Sequence, residues 1–245
     1  GIGDAVKRKE DKRFTTGKGK YTDDVRNDNQ AYAAFVRSPH AHARVTGIDA
    51  SAALAMDGVI DVLNGAQLTG DGIGNIICGW AVTSKDGSPM NMGAWSALAT
   101  EKVRYVGDAV AVVIAETQAL ARIAAEAVEV SYEQLSVAAS IAAAMEDDAP
   151  EIHENAPGNL IYDWEIGDEA ATDAGLAGAA HVTTLDVINN RLSPNPMEPR
   201  SAVATYDDSE EHYTLYTTSQ NPHVARLVLS AFYNVAPEHK LRGIA

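Results

Sequence analysis

The sequence predicts an α+β protein made of two units, and three observations point that way. Short apolar runs such as residues 30–37 and 109–115 have strand length. An alanine-rich stretch after Thr117 has helical spacing instead. An acidic, proline-containing stretch over residues 141–160 interrupts the pattern before a second hairpin-and-helix signal begins.

Residues 1–29 are charged and glycine-punctuated, and residues 13–24 read as an ordered loop without an element. Residues 30–37 form a strand ended by Ser38-Pro39, because proline removes a donor and biases its predecessor to extended geometry. Residues 43–48 give a second strand. Asp49 is placed to cap a helix over residues 50–56, Asp57-Gly58 ends it, and residues 59–63 return as a strand. Residues 70–97, rich in glycine with scattered Met and Trp, carry no period and are expected to be irregular. Residues 103–106 and 109–115 read as strands around Gly107-Asp108. Thr117 then caps a helix whose Leu120, Ile123, Ala124 and Val128 share a face, and residues 128–132 are again a strand. Strand, helix, strand in so short a span fits a crossover unit packed on one sheet.

Beyond the connection, residues 168–180 suit a short helix and residues 181–190 a strand. Residues 201–206 and 212–217 suit a hairpin around Asp207-Asp208-Ser209-Glu210-Glu211. Asn221 caps a further helix with Pro222 at its first position and an apolar stripe of Val224, Leu227, Val228, Ala231 and Phe232. Ala236-Pro237-Glu238-His239 turns the chain, and Leu241 opens a strand whose bare edge is expected to be continued or covered.

Composition narrows the functional classes. With 46% apolar residues in 245, the chain can bury a sizeable core. The apolar run 109–115 is too short to cross a bilayer, and no signal-peptide pattern opens the sequence, so a soluble, cytoplasmic protein is expected. The single cysteine, Cys78, excludes an internal disulfide and an iron–sulfur cluster held by this chain alone. A net charge of −15 opposes nucleic-acid and anionic-membrane partners.

Few residues suggest chemistry on their own. Gln220 sits at a strand end just before a helix N-terminus, where free backbone donors and the dipole favour an anionic ligand. Its amide donates while staying neutral at every pH, although the local pattern equally fits a loop residue beside the Asn221 cap. His40 and His42 would share one face of a strand, which is compatible with a metal pair or a surface role. His223 lies in the first helical turn and could line a pocket or simply pack. Cys78, between apolar neighbours, is expected to be a buried inert thiol. Gly1-Ile2-Gly3 and Gly70-Asp71-Gly72-Ile73-Gly74 lack the strand-before, helix-after setting of a dinucleotide loop, and Asp207 to Glu211 is read as a solvated turn.

Five segments carry a resemblance. The first two are Lys9-Glu10-Asp11-Lys12-Arg13-Phe14-Thr15-Thr16-Gly17-Lys18-Gly19-Lys20-Tyr21-Thr22-Asp23-Asp24 and Phe35-Val36-Arg37-Ser38-Pro39-His40-Ala41-His42-Ala43. The third is Lys102-Val103-Arg104-Tyr105-Val106-Gly107-Asp108 followed by Val110-Ala111-Val112-Val113-Ile114-Ala115-Glu116-Thr117. The last two are Asn195-Pro196-Met197-Glu198-Pro199-Arg200 and Thr217-Thr218-Ser219-Gln220-Asn221-Pro222-His223. Taken in order, they resemble the molybdenum-binding large subunits of the xanthine dehydrogenase, aldehyde oxidase and aerobic carbon monoxide dehydrogenase family, closest in sequence to the carbon monoxide dehydrogenase-like branch.

The resemblance implies an α/β hammerhead domain over residues 15–140, following an N-terminal segment over 1–29. A linker over 141–160 would join it to the first part of a molybdopterin-binding domain over 161–245. It implies an oxidoreductase that hydroxylates a carbon centre with oxygen from water, using a molybdenum–molybdopterin cofactor, commonly the cytosine dinucleotide. Electrons would pass to 2Fe-2S clusters and FAD on separate small and medium subunits. By this resemblance Gln220 matches the glutamine that hydrogen-bonds the molybdenum oxo group. The family's glycine loop, substrate loop and glutamate base would fall beyond Ala245, in a continuation or a separate chain, so this chain offers no catalytic base. Gly243 departs from the branched residue that the family prefers in its strand, where glycine weakens pairing. The substrate is left open among carbon monoxide, aldehydes and nitrogen heterocycles. A non-catalytic assembly module that docks the iron–sulfur and flavin subunits is the alternative from a different class.

Overall fold

A computed structural model of the chain describes residues 2–234 and 240–244. The turn expected at residues 236–239 lies outside the described residues. In place of a plain loop, the N-terminal segment forms a short helix, α1 (Asp11–Thr15), and a 3-10 turn at Thr22–Asp24. A local side-chain-to-backbone hydrogen bond accompanies each of them. The Asp11 carboxylate accepts the Arg8 N–H at 3.1 Å, and that of Asp24 accepts the Tyr21 N–H at 2.8 Å.

The first unit then runs β1 (Tyr32–Arg37), β2 (Ala43–Asp49), α2 (Ser51–Leu54), β3 (Val59–Asn64) and α3 (Gly65–Gly70). It continues through β4 (Lys102–Val103), β5 (Ala109–Ala115), α4 (Gln118–Glu126) and β6 (Glu129–Gln134). Two antiparallel sheets result, ordered β1-β5-β3 and β4-β2-β6. The strands flanking α4 therefore lie in different sheets, contrary to the expected single-sheet crossover. Both edges of β5 are taken, by β1 and β3, so β6 must pair elsewhere and does so on β2.

Several elements are shorter than their apolar runs. The expected strand 103–106 stops at Val103, because the Asp108 carboxylate takes the Arg104 N–H at 3.0 Å and Gly107 turns back at φ +94°. Helix α2 covers only part of residues 50–56. Asp49 sits one residue before its N-cap, yet its Oδ1 accepts the Ser51 N–H at 2.9 Å. Helix α3 was not expected at all; it begins with a reciprocal cap in which Asn64 Oδ1 accepts from Gln67 N (3.1 Å) and Gln67 Oε1 from Asn64 N (2.9 Å). On α4, capped by Thr117 as expected, Ala121 and Ala124 face the sheet while Ile123 is 57% exposed. Alanines on that face let the helix lie close to β1 and β5.

The core is built from small residues. Ala53, Val62, Ala111, Val113, Ala124 and Val128 form one cluster, and Ala43, Ala99, Val103 and Val110 a second on the other side of β5. Residues 70–97 are irregular as expected, with one isolated bridge between Thr83 and Pro89.

The connection over residues 141–160 is ordered and tied to β4. It contains α5 (Ile141–Ala144) and a 3-10 turn at Pro157–Asn159. The Asn159 amide bonds Ile152 N, Ala144 O and Pro150 O at 2.9–3.1 Å. Arg104 donates to Ile152 O and, at 3.0 Å, to the Glu154 carboxylate, which also pairs with Lys102. The Lys102 ammonium foremost, with the backbone and Arg104, holds the Glu154 carboxyl at about 2, below its ordinary 4.5. A folded value below the unfolded one gives a contribution present in full above about pH 4.5 and lost as pH falls toward about 2. The Glu154 side chain is 61% exposed, so replacing it with Gln should cost less than about 1 kcal/mol at pH 7. In urea melts the difference from wild type should vanish by about pH 2; a difference constant with pH would refute the ion-pair origin.

The second unit contains α6 (Glu169–Ala177), β7 (Ala202–Asp207), β8 (His212–Thr217), α7 (Pro222–Tyr233) and β9 (Leu241–Ile244). Asp168 caps α6 through the Ala171 N–H at 2.9 Å. Strands β7 and β8 form the expected hairpin, and β9 lies parallel to β8. Residues 181–190 form no strand, having no ladder partner among the described residues. The stripe expected on α7 divides: Phe232 is buried and Val228 half-buried, whereas Val224 and Leu227 face outward. Gly243 has a packing reason. A Cβ there would stand 3.3 Å from the Pro222 carbonyl oxygen, so glycine lets the first turn of α7 rest against β9.

Candidate functional site

The junction between β8 and α7 is fixed from both sides. Thr218 Oγ1 accepts the Ser201 N–H at 2.8 Å and donates to Ser201 O at 3.1 Å, locking the end of β8 to the start of β7. Beyond it, Ser219 Oγ accepts the Asn221 N–H (3.1 Å) and Asn221 Oδ1 the Val224 N–H (3.2 Å), while Pro222 has no N–H to satisfy. Gln220 is held between these two anchored points. Its side chain is exposed and makes no hydrogen bond among the described residues, and neither does the His223 N–H.

Gln220 lines a groove of about 310 Å³ with Thr217, Thr218, Ser219, Thr22, Glu198 and Arg200. The N-terminal segment reaches this groove through the Thr22 N–H, which donates to Glu198 Oε1 at 2.9 Å. Arg200 brings positive charge, and the start of α7 adds the positive end of a helix dipole. A neutral amide and a guanidinium beside a helix start fit an anionic, oxygen-rich group; Glu198, whose Oε1 accepts the Thr22 N–H, is the opposing carboxylate that the Arg200 charge offsets. Thr22, Glu198 and Arg200 belong to segments singled out in the sequence, but no role was assigned to them there. Thr22 and Glu198 are 176 positions apart, and no local signal reports such a contact.

The other candidates separate from this groove. His40 and His42 occupy the turn between β1 and β2, off any strand. His42 is 5% exposed with Nδ1 2.7 Å from Ser136 O, and His40 packs edge-on against Tyr132. No group of three or more His, Cys, Asp or Glu side chains is placed to hold a metal ion among the described residues. His223 is exposed and outside the groove. Cys78 is exposed rather than buried, because its apolar neighbours Ile76 and Ile77 lie in the irregular segment and are themselves open to solvent. Asp207 closes its own turn, accepting from Ser209 N, Ser209 Oγ and Glu210 N, as expected of a solvated turn. Among the described residues no helix is long and apolar enough to cross a membrane.

Comparison with known proteins agrees with this architecture. Residues 16–136 match the aldehyde oxidase and xanthine dehydrogenase a/b hammerhead domain, and residues 152–245 match the molybdopterin cofactor-binding domain. The carbon monoxide dehydrogenase large chain of Afipia carboxidovorans is 38% identical over 100% of this chain and 30% of its own length. The nicotine 6-hydroxylase large subunit of Paenarthrobacter nicotinovorans is 35% identical over 94% of this chain and 27% of its own. Among solved structures, quinoline 2-oxidoreductase from Pseudomonas putida 86 superposes with a TM-score of 0.84 at 32% identity, over 99% of this chain and 30% of that one. The chain thus spans roughly 30% of the length of the relatives it matches. With two abutting sheets, a β7-β8-β9 sheet carrying α7 and the matches along both, the chain belongs to the xanthine dehydrogenase, aldehyde oxidase and carbon monoxide dehydrogenase family, as a hammerhead domain followed by the start of a molybdopterin cofactor-binding domain.

Proposed function

We propose that this chain is the hammerhead and cofactor-domain portion of a molybdenum hydroxylase large subunit, and that Gln220 is its hydrogen-bond donor to the cofactor's oxo group. When bound, the molybdenum–molybdopterin cofactor supplies a two-electron oxidation in which oxygen from water enters a carbon centre. The residues here bind and orient. Gln220 donates through its neutral amide, Arg200 offsets negative charge, and the Thr218–Ser201 lock keeps the donor's backbone from drifting. Electrons would leave through 2Fe-2S clusters and FAD on small and medium subunits, with the pterin as its cytosine dinucleotide.

The observation that carries this reading is the Gln220 amide, without a hydrogen-bond partner among the described residues, on backbone held between two hydrogen-bonded anchors at the start of α7. The relatives' names include carbon monoxide, nicotine and quinoline, and nothing in the Gln220 groove selects among such substrates. We therefore assign the substrate as a small molecule, carbon monoxide, an aldehyde or a nitrogen heterocycle, handled by residues outside this chain together with the catalytic base. The net charge of −15 and the lone cysteine support a cytoplasmic enzyme without nucleic-acid or membrane partners. The test is elemental molybdenum and pterin analysis of the particle purified with all its associated chains. Near-stoichiometric metal per copy of this chain is expected. A well-folded particle without metal would overturn the catalytic reading in favour of a non-catalytic docking module.

A further inference from the structure

The hydrogen bond that ties the N-terminal segment to the second unit ends on a charged wall of the Gln220 groove. The Thr22 N–H donates to Glu198 Oε1 at 2.9 Å across 176 positions of sequence. The donor is rigidly presented. Thr22 opens its 3-10 turn, so its N–H has no partner within the turn. The turn is closed around it, with Asp24 Oδ2 accepting the Tyr21 N–H at 2.8 Å and Tyr21 O accepting the Asp24 N–H at 3.0 Å. The same turn packs against β7.

The acceptor has a competing partner. Arg200 lies two residues beyond Glu198, at most about 7 Å along the backbone, and both side chains line the groove. Opposite charges so placed are within reach of an ion pair, yet among the described residues Arg200 makes neither an ion pair nor a hydrogen bond. Glu198 bonds the Thr22 backbone instead. The difference matters to a ligand, because a guanidinium closed on a carboxylate spends its planar donors there, whereas one held apart presents them to an incoming anion.

We propose that the Thr22 N–H is a positioning donor for the groove: by holding Glu198 it keeps that carboxylate from closing on Arg200, and so leaves the guanidinium free for the anionic group that Gln220 meets. Only the identity of that anionic group rests on the cofactor reading; the clasp itself stands on the hydrogen bond and on the unpaired Arg200.

Thr22→Pro removes the N–H and little else. Tyr21 is already extended (φ −94°, ψ 164°), as the residue before a proline must be, and proline suits the first position of the turn. In the complete complex freed of metal, phenylglyoxal labelling of Arg200, read by mass spectrometry, should slow roughly threefold in Thr22→Pro as the exposed pair forms. Thr22→Ala, which keeps the N–H, should label like wild type. Thr22→Pro combined with Glu198→Gln should label like Glu198→Gln alone, because a neutral amide does not hold the guanidinium. Labelling unchanged by Thr22→Pro would overturn the proposal, as would a loss that persists in the double variant, which would mark the segment as structural only. Hydrogen exchange in the wild-type complex tests the bond without a variant. The Thr22 amide should exchange about tenfold more slowly than that of Asp23, which has no hydrogen-bond partner among the described residues, and equal rates would overturn the clasp. In metal-loaded complex Thr22→Pro should also release molybdenum roughly threefold faster on dialysis, with the double variant again restored. Restored labelling without any change in molybdenum release would keep the clasp while removing the cofactor reading, so the two can fail separately.

Discussion

Gly65→Ala is expected to lower stability by about 3 kcal/mol, a loss unusual for the addition of one methyl group. A Cβ at this position would stand 2.7 Å from Leu98 O, 2.8 Å from Thr100 Cγ2 and 2.9 Å from Ala99 O. Two of these three atoms are backbone carbonyls and cannot rotate away. They also have nowhere to retreat, because Leu98 and Ala99 are buried and the Ala99 N–H is bonded to Ala109 O at 2.7 Å, at the start of the central strand β5. The first turn of α3 must then move, which strains the Asn64–Gln67 cap, or the 98–100 strap must peel from β5. For a chain of this size the thermal midpoint should drop by roughly 10 °C. Gly175→Ala provides the contrast. That glycine lies inside α6 with open space where the Cβ would go, so alanine should stabilise by about 0.5–1 kcal/mol through helix propensity. Equal effects of the two substitutions in urea melts would show that the packing around Gly65 is looser than these distances state.

The sequence signals that proved reliable were those in which a residue acts on its own neighbours. Thr117 and Asn221 each cap the helix that follows because the donor they satisfy lies three positions on. The Pro39 break ends β1, and the polar 207–211 turn separates β7 from β8, for equally local reasons. What was illegible was decided at a distance. Nothing in residues 109–132 states that both edges of β5 are filled by β1 and β3, and that fact alone sends β6 to the other sheet. The exposure of Ile123 and Cys78 likewise depends on what covers them, while the Arg104–Asp108 loop shows a long-looking strand being cut short by one carboxylate. Residues 181–190 carry strand composition without a strand, because composition supplies a face and a partner supplies the ladder. Gln220 illustrates both halves of this rule. Its place before a capped helix was readable from Asn221 and Pro222, but its neighbours Thr22, Glu198 and Arg200 became visible only when the fold brought them together.

Gln220→Ala is expected to reduce turnover of the assembled enzyme by about 100-fold while leaving the fold and the metal content unchanged. The side chain is exposed and bonded to nothing within the described chain, so its removal opens no cavity and orphans no buried partner; stability should stay within about 0.5 kcal/mol of wild type. The loss arises instead from the proposed donor role. A fixed amide aimed at an oxygen whose negative charge grows during reaction stabilises the transition state more than the ground state, so kcat should fall with little change in KM. An amide does not titrate, and the pH profile of the residual activity should therefore keep the wild-type shape. Gln220→Glu separates donation from bulk. It preserves the length of the side chain but replaces the donor with a second carboxylate beside Glu198, so it should be at least as damaging as alanine despite filling the same space. Activity within threefold of wild type for both variants, measured on complex with full molybdenum occupancy, would show that Gln220 is a loop residue beside a helix cap. In that case the groove would have to orient the cofactor through Arg200 and its threonine and serine hydroxyls.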